Sequence, residues 1–445
     1  MRTLCLLIIF LSNLSFLTAQ NPLKIGRTIE VKVEPEGNKY IIQAKRGNIY
    51  KIDINQRGLD VVLNIKDSSN NLIAEIDSPS GSFGTESYIF RSKKVELIHV
   101  HIYPFEDQDF IEGGQIDIRF NEIEQEFART WKKEQRKISR ENRRNIQTLD
   151  IQNFWEAYDA LADVSTLEDS IEVIQRLYID RGTEGFKQFM QVRPETNAFN
   201  YVQALRMFPK FYASLRENTD VIFKSEKDVQ YVFDRFEKVY SRFKPFKVCF
   251  LIGTLNTGGT VTNDYVLIGS EITCSTAKTD LSEFKNPPFN QLIPHLNYAG
   301  DISQRIRNIV AHECVHTQQP NDLDIAEQSC QLLHASLSEG FCDFVGEYLV
   351  GEQINSNLVE FGDQHEEELW NSFKYAMCED DLEDWLYNYG RFEDKPADLG
   401  YYIGYVVAKN YYAEAKNKAQ AIKDLIEFRN AEEILKASKY DSKWN

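Results

Sequence analysis

Two histidines flanking an acid make up the stretch of this 445-residue chain whose residue types and spacing most directly imply chemistry: His312-Glu313-Cys314-Val315-His316. A helix turns about 100° per residue, so His312 and His316 project from one face and can reach one metal ion together. Glu313 lies on the same side of the turn, where its carboxylate can take a proton from water held by that ion. The pattern is H-E-x-x-H, which supplies two imidazole ligands and a base for hydrolysis.

A helix has to hold these groups. Asp301 can cap it, and Gln304 completes a capping-box pattern. Ile302, Ile306, Ile309 and Val310 recur at helical spacing, and Pro320 predicts a stop soon after His316. Zinc in a hydrolase takes three protein ligands and leaves one position open. Two acids compete for the third place. Asp322 lies shortly after His316, but Gln319 and Pro320 stand where its tight turn would want Gly. Glu339 instead interrupts an apolar helical pattern of Leu333, Leu337, Phe341, Phe344, Val345, Tyr348 and Leu349. An acid among apolar residues is expensive unless paired or metal-bound, so Glu339 is the expected third ligand. Asp343, one turn on, is placed to accept a hydrogen bond from the distal nitrogen of a ligating histidine.

The remaining sequence bounds the setting. The length suits two or three domains, and a net charge of −17 argues against a general nucleic-acid binder. Arg2, the apolar run Leu4 to Phe10 and the small-residue site Leu17-Thr18-Ala19 predict a targeting segment over residues 1–19, and hence an exported protein. No later stretch is long and apolar enough to span a bilayer. Six cysteines remain beyond Cys5, and none has C-x-x-C spacing. Cys249 with Cys274 is the expected disulfide pair, with free buried thiols as the alternative.

Short alternating runs separated by turns predict an all-β sandwich over residues 20–121. Residues 122–148 read as a polar helical connector. Residues 149–445 form a mainly helical α+β domain with a small sheet. Two strand-like runs, Phe246–Gly253 and Tyr265–Gly269, flank a turn-rich loop containing Gly258 and Gly259. Such a loop lets a substrate backbone approach a sheet edge, and the alternative is an ordinary hairpin. His99 and His101 share one face of a strand and read as strand surface.

The segment with Asp60-Val61-Val62-Leu63, Lys66-Asp67, Asn71-Leu72-Ile73, Asp77-Ser78 and Gly113-Gly114-Gln115-Ile116-Asp117 resembles β-sandwich domains found beside bacterial peptidases. With H-E-x-x-H and the downstream E-x-x-x-D of Glu339 and Asp343, the chain from Asp150 onward resembles the thermolysin-like, glutamate-liganded zinc metallopeptidases. Within them it resembles a family of predicted secreted zinc-dependent proteases. That resemblance includes Arg176-Leu177-Tyr178-Ile179-Asp180-Arg181-Gly182, the Gly258-Gly259 loop and Leu399-Gly400-Tyr401-Tyr402-Ile403-Gly404-Tyr405. It implies a zincin-like domain with zinc on His312, His316 and Glu339, Glu313 as base and Asp343 supporting a ligand. It also implies a peptide or protein substrate. Tyrosine stabilises the oxyanion in several relatives, and Tyr401 and Tyr405 are the candidates here, with His295, His334 and His365 as other donors. Two rival readings are a zinc-fold surface binding protein and a hydrolase of non-peptide amides or esters. An intact Glu313 counts against the first, since a scaffold needs the ligands but not the base.

Overall fold

The computed structural model describes residues 21–77, 85–105, 114–320, 330–379, 381–389, 391–392 and 395–444. The expected targeting segment, Asp322, and Ser78 and Gly113 of the sandwich resemblance lie outside the described residues. The chain divides into two compact units after Thr130.

The first unit is all β among its described residues up to Ile123. Its strands are β1 (Asn21–Pro22), β2 (Arg27–Lys32), β3 (Asn38–Ala44), β4 (Ile49–Arg57), β5 (Val61–Lys66), β6 (Leu72–Ile76), β7 (Thr85–Arg91), β8 (Glu96–Pro104) and β9 (Gln115–Ile123). One sheet runs β1-β3-β8-β5-β6 and the other β2-β9-β4-β7. Alternation does the sorting. In β4 the side chains of Tyr50, Ile52 and Ile54 turn inward with Ile116, Ile118 and Phe120 of β9, and meet Ile42, Leu63, Ile65 and Val100 from the other sheet in one core. His101 faces the backbone carbonyl of Glu36 at 3.1 Å. A helix, Gln125–Glu141, follows, largely exposed.

The second unit is mainly helical around a small sheet of β10 (Ile146–Gln147), β11 (Lys247–Leu251), β12 (Gly259–Val261) and β13 (Tyr265–Gly269), in the order β10-β11-β13-β12. The expected strand pair differs in detail. β11 and β13 run parallel, and the glycine-rich loop contributes β12, antiparallel to β13, as an edge strand. β11 and β13 are buried throughout or nearly so, as central strands covered by helices on both faces should be.

Three long helices position the chemistry. The motif helix is Ile302–His316, the ligand helix Gln331–Val350 and the tyrosine helix Leu399–Glu414. The motif helix buries Ile306, Val310, Ala311, Cys314 and Val315 and ends just after His316, before Pro320. The capping box does not form. Asp301 makes no side-chain cap hydrogen bond, and Gln304 donates instead to Asn308 one turn on, at 2.8 Å. The ligand and tyrosine helices cross backbone to backbone. A Cβ on Gly340 would stand 2.1 Å from the Gly404 carbonyl carbon, and one on Gly404 would stand 2.0 Å from the Ser336 oxygen. Glycine at this crossing brings the first turn of the tyrosine helix against Glu339.

The cysteines correct the expected pairing. Cys330 and Cys378 form a disulfide, while Cys249, Cys274, Cys314 and Cys342 are free and buried. Cys249 on β11 points its thiol at Asp150, whereas Cys274 closes a short helix, Ser270–Thr273, away from any neighbouring strand position.

Candidate metal centre

The motif and ligand helices bring four groups together. His316 Nε2 lies 3.1 Å from Glu339 Oε2 and 3.2 Å from His312 Nε2, and His312 Nε2 lies 3.4 Å from the same carboxylate oxygen. A tetrahedral zinc about 2.0–2.1 Å from each ligand would separate those ligands by about 3.3–3.4 Å. The three atoms therefore already stand near the corners of a zinc coordination face. Two neutral imidazoles and a carboxylate also form the donor set such a catalytic ion takes.

The distal nitrogens are fixed. His312 Nδ1 pairs with Asp343 Oδ1 at 2.8 Å, and Asp343 Oδ2 accepts from Asn355 Nδ2 at 2.8 Å. His316 Nδ1 faces Gln319 Oε1 at 3.1 Å. Gln319 in turn donates to the Ser338 carbonyl at 3.2 Å and accepts from the Ser338 hydroxyl at 2.9 Å. Each Nδ1 therefore has an acceptor for its proton, which would leave both Nε2 lone pairs for an ion at the common centre. Gln319 was visible in the sequence as a departure from glycine, and its position three residues after His316 was the available signal for this role. Asn355 carried no such signal.

Burial would raise the Glu339 carboxyl, but the His316 charge and hydrogen bonds from both histidines outweigh it and hold the group well below its usual range. Burial likewise opposes charge on His312, yet the bond to Asp343 and then that to Glu339 drive its pKa well upward. Cys342 also approaches, since its thiol and the two imidazoles offer ligand atoms within 4.8 Å of one another. Burial and the neighbouring Glu339, Glu313 and Asp343 charges push that thiol far up, so thiolate is disfavoured, and Gln319 donates to its sulfur at 3.5 Å. An ionised carboxylate suits a cation better than a protonated thiol, and Glu339 stands 3.1 and 3.4 Å from the Nε2 atoms of His316 and His312.

Glu313 is only 7% exposed, and burial raises its carboxyl pKa although the His312 and His316 charges lower it. The edge strand β12 runs against it. A Cβ on Gly259 would meet Glu313 Oε1 at 2.5 Å, so only glycine lets the strand lie this close. Gly258 has no such need, its nearest contact being Ile272 at 3.5 Å. The loop before β12 is held from beneath by Glu271, a fully buried acid that accepts the Gly253 N–H at 2.6 Å and the Leu255 N–H at 3.0 Å.

The structure separates the two expected tyrosines. Tyr401 stacks on His312, with ring centroids 6.1 Å apart and planes 14° from parallel. Burial and then the Glu339 charge push its hydroxyl pKa well up, leaving it a protonated donor. Tyr405 is committed elsewhere, its hydroxyl donating to Glu347 at 2.7 Å. A third tyrosine was missed. Tyr387 puts its hydroxyl 3.5 Å from Glu339 Oε1 from a loop where its own φ is +55°, pinned by its N–H to Asp398 at 2.6 Å. His334 and His365 bond to Glu432 and the Phe361 carbonyl, and His295 is exposed, its backbone carbonyl accepting from Arg305.

Comparison with known proteins agrees with this chemistry. A family described as "Predicted Zn-dependent protease (DUF2268)" matches residues 292–436, about a third of the chain, and that span contains both histidines, Glu313 and Glu339. The match supports a zinc protease in general terms. No curated protein matches the chain. Among solved structures, the pre-peptidase C-terminal domain of collagenase from Bacillus anthracis is similar at 13% identity, covering 23% of this chain and 95% of that one, with a TM-score of 0.20. No helix among the described residues is long and apolar enough to cross a membrane.

Proposed function

We propose that the chain is an exported zinc metallopeptidase of the glutamate-liganded kind, with His312, His316 and Glu339 holding the ion and Glu313 as general base. One observation carries the reading: His312 Nε2, His316 Nε2 and Glu339 Oε2 converge with separations of 3.1–3.4 Å. When bound, zinc supplies Lewis acidity, drawing the pKa of a coordinated water towards neutrality and polarising a carbonyl.

The protein's own groups do the rest. Glu313 accepts the water proton on a carboxylate oxygen and returns it to the departing amine nitrogen. Its burial keeps it more basic than an exposed glutamate, which suits that exchange. Tyr401 and Tyr387 are the hydroxyl donors for negative charge developing on the carbonyl oxygen. Strand β12 pairs on one side with β13, so its other edge can take an extended peptide by backbone hydrogen bonds, which favours a peptide over other amides and esters. The basis for export is the sequence of residues 1–19.

The test has two arms. Purified protein is analysed for zinc and incubated with a mixed peptide library read by mass spectrometry. About one zinc per chain and chelator-sensitive cleavage that disappears in Glu313→Gln support the reading. A Glu313→Gln protein that still cleaves removes the assigned base.

A further inference from the structure

The β-sandwich holds a second cluster of acids that peptide hydrolysis does not use. Asp60 leads into β5, Asp77 follows its antiparallel partner β6 (Leu63 lies opposite Ile76), and Glu86 stands on β7 in the other sheet. One carboxylate oxygen from each lies within 4.8 Å of the other two. Glu86 is fully buried, Asp60 is 9% exposed and Asp77 sits at the surface.

Two observations make this more than an acidic patch. The first is an orphan: Asp60 Oδ1 is buried with no hydrogen-bond partner, on a carboxylate that stands beside two others. Such an atom is costly unless something positive meets it. The sandwich's described ion pairs join Lys51 to Asp53, Arg57 to Glu30 and Asp117, and Lys94 to Glu96, so none reaches Asp60 or Asp77. The second is a built support. Buried Gln56 accepts the Val61 N–H at 2.6 Å and donates to Glu86 Oε1 at 3.3 Å, fixing the start of β5 against the Glu86 side chain.

We propose that Asp60, Asp77 and Glu86 bind a calcium-type divalent cation that ties the two sheets of the sandwich together. The donors are all oxygen, with no nitrogen or sulfur, which selects a hard cation over zinc. Their separations fall within the span of a calcium shell, whose oxygens stand about 2.3–2.6 Å from the ion, and water and backbone carbonyls can complete it.

The full chain, freed of divalent ions over a chelating resin and then reloaded with zinc, is titrated with calcium chloride by calorimetry and followed by amide hydrogen exchange. The expected Kd is roughly 10⁻⁴–10⁻³ M. At ten times Kd, exchange over residues 61–66 and 85–91 slows by about tenfold. Asp77→Asn, a surface change that leaves the core untouched, weakens binding at least about tenfold. Asp60→Asn removes the calcium response and, without calcium, exchanges no faster than the parent because the repulsion is gone. The proposal is overturned if calcium up to about 10 mM gives neither heat nor protection. It is equally overturned if Asp77→Asn responds like the parent, or if magnesium protects as well as calcium.

Discussion

Each unit of this protein buries a group of acids, and the two groups are met by opposite partners. In the helical unit, Glu339 faces two imidazoles and is held well below the usual carboxylate range. In the sandwich, Asp60 faces Asp77 and is pushed up to about 6. The first group has its nitrogen donors built in, the set proposed to hold zinc. The second offers only oxygens, the set proposed for a harder ion. Burying a carboxylate is a local charge problem, and the donors placed opposite it say which cation solves it.

The largest effect that would break this comparison is on turnover. Glu313→Gln should retain zinc and lose about 10³-fold or more in kcat, because it keeps the shape and removes the base. Next comes Glu339→Gln, which should weaken zinc binding more than about a hundredfold, beyond what loss of a supporting hydrogen bond costs. Competition with a chelating dye reads this. An unchanged affinity would mean that Glu339 only pairs with the histidines, as surface acids do.

A buried acid that meets neither imidazole nor carboxylate sharpens the contrast. Glu271 is answered only by backbone N–H groups, and burial pushes it up to about 7. Its folded pKa lies above the unfolded value, so its protonated form stabilises the fold at low pH and that contribution is lost as pH rises through 7. Glu271→Gln should therefore gain about 2.5 kcal/mol on the parent between pH 5 and pH 8, measured by urea unfolding of tryptophan fluorescence. A constant difference would mean that the amides alone satisfy the charge. The smallest effect is expected at Gln319. Gln319→Ala leaves His316 Nδ1 without its acceptor and should weaken zinc binding by about tenfold, with the fold intact.

Much of this arrangement was legible in the sequence. A repeat of apolar residues located the motif helix, and an acid in an apolar stripe marked Glu339. Alternating strands with regular turns marked the all-β unit, and the mainly helical unit with its small sheet was also readable. Most of what escaped depended on groups far apart in the chain. The Cys330–Cys378 bridge spans 48 residues, and nothing local announces it. Tyr387 reaches Glu339 from a left-handed loop position that no periodicity reveals. The capping box failed because Gln304 found Asn308, a competitor one turn away. Glycine within a helical pattern did carry a signal, and Gly340 with Gly404 proves to be the helix crossing that sets Tyr401 beside His312.

Zinc-edge X-ray absorption of the purified protein tests the central assignment most directly. Two imidazole nitrogens with further nitrogen or oxygen scatterers at about 2.0–2.1 Å, and no sulfur, are the predicted shell. A sulfur shell at about 2.3 Å would hand the third position to Cys342 and contradict the role given to Glu339.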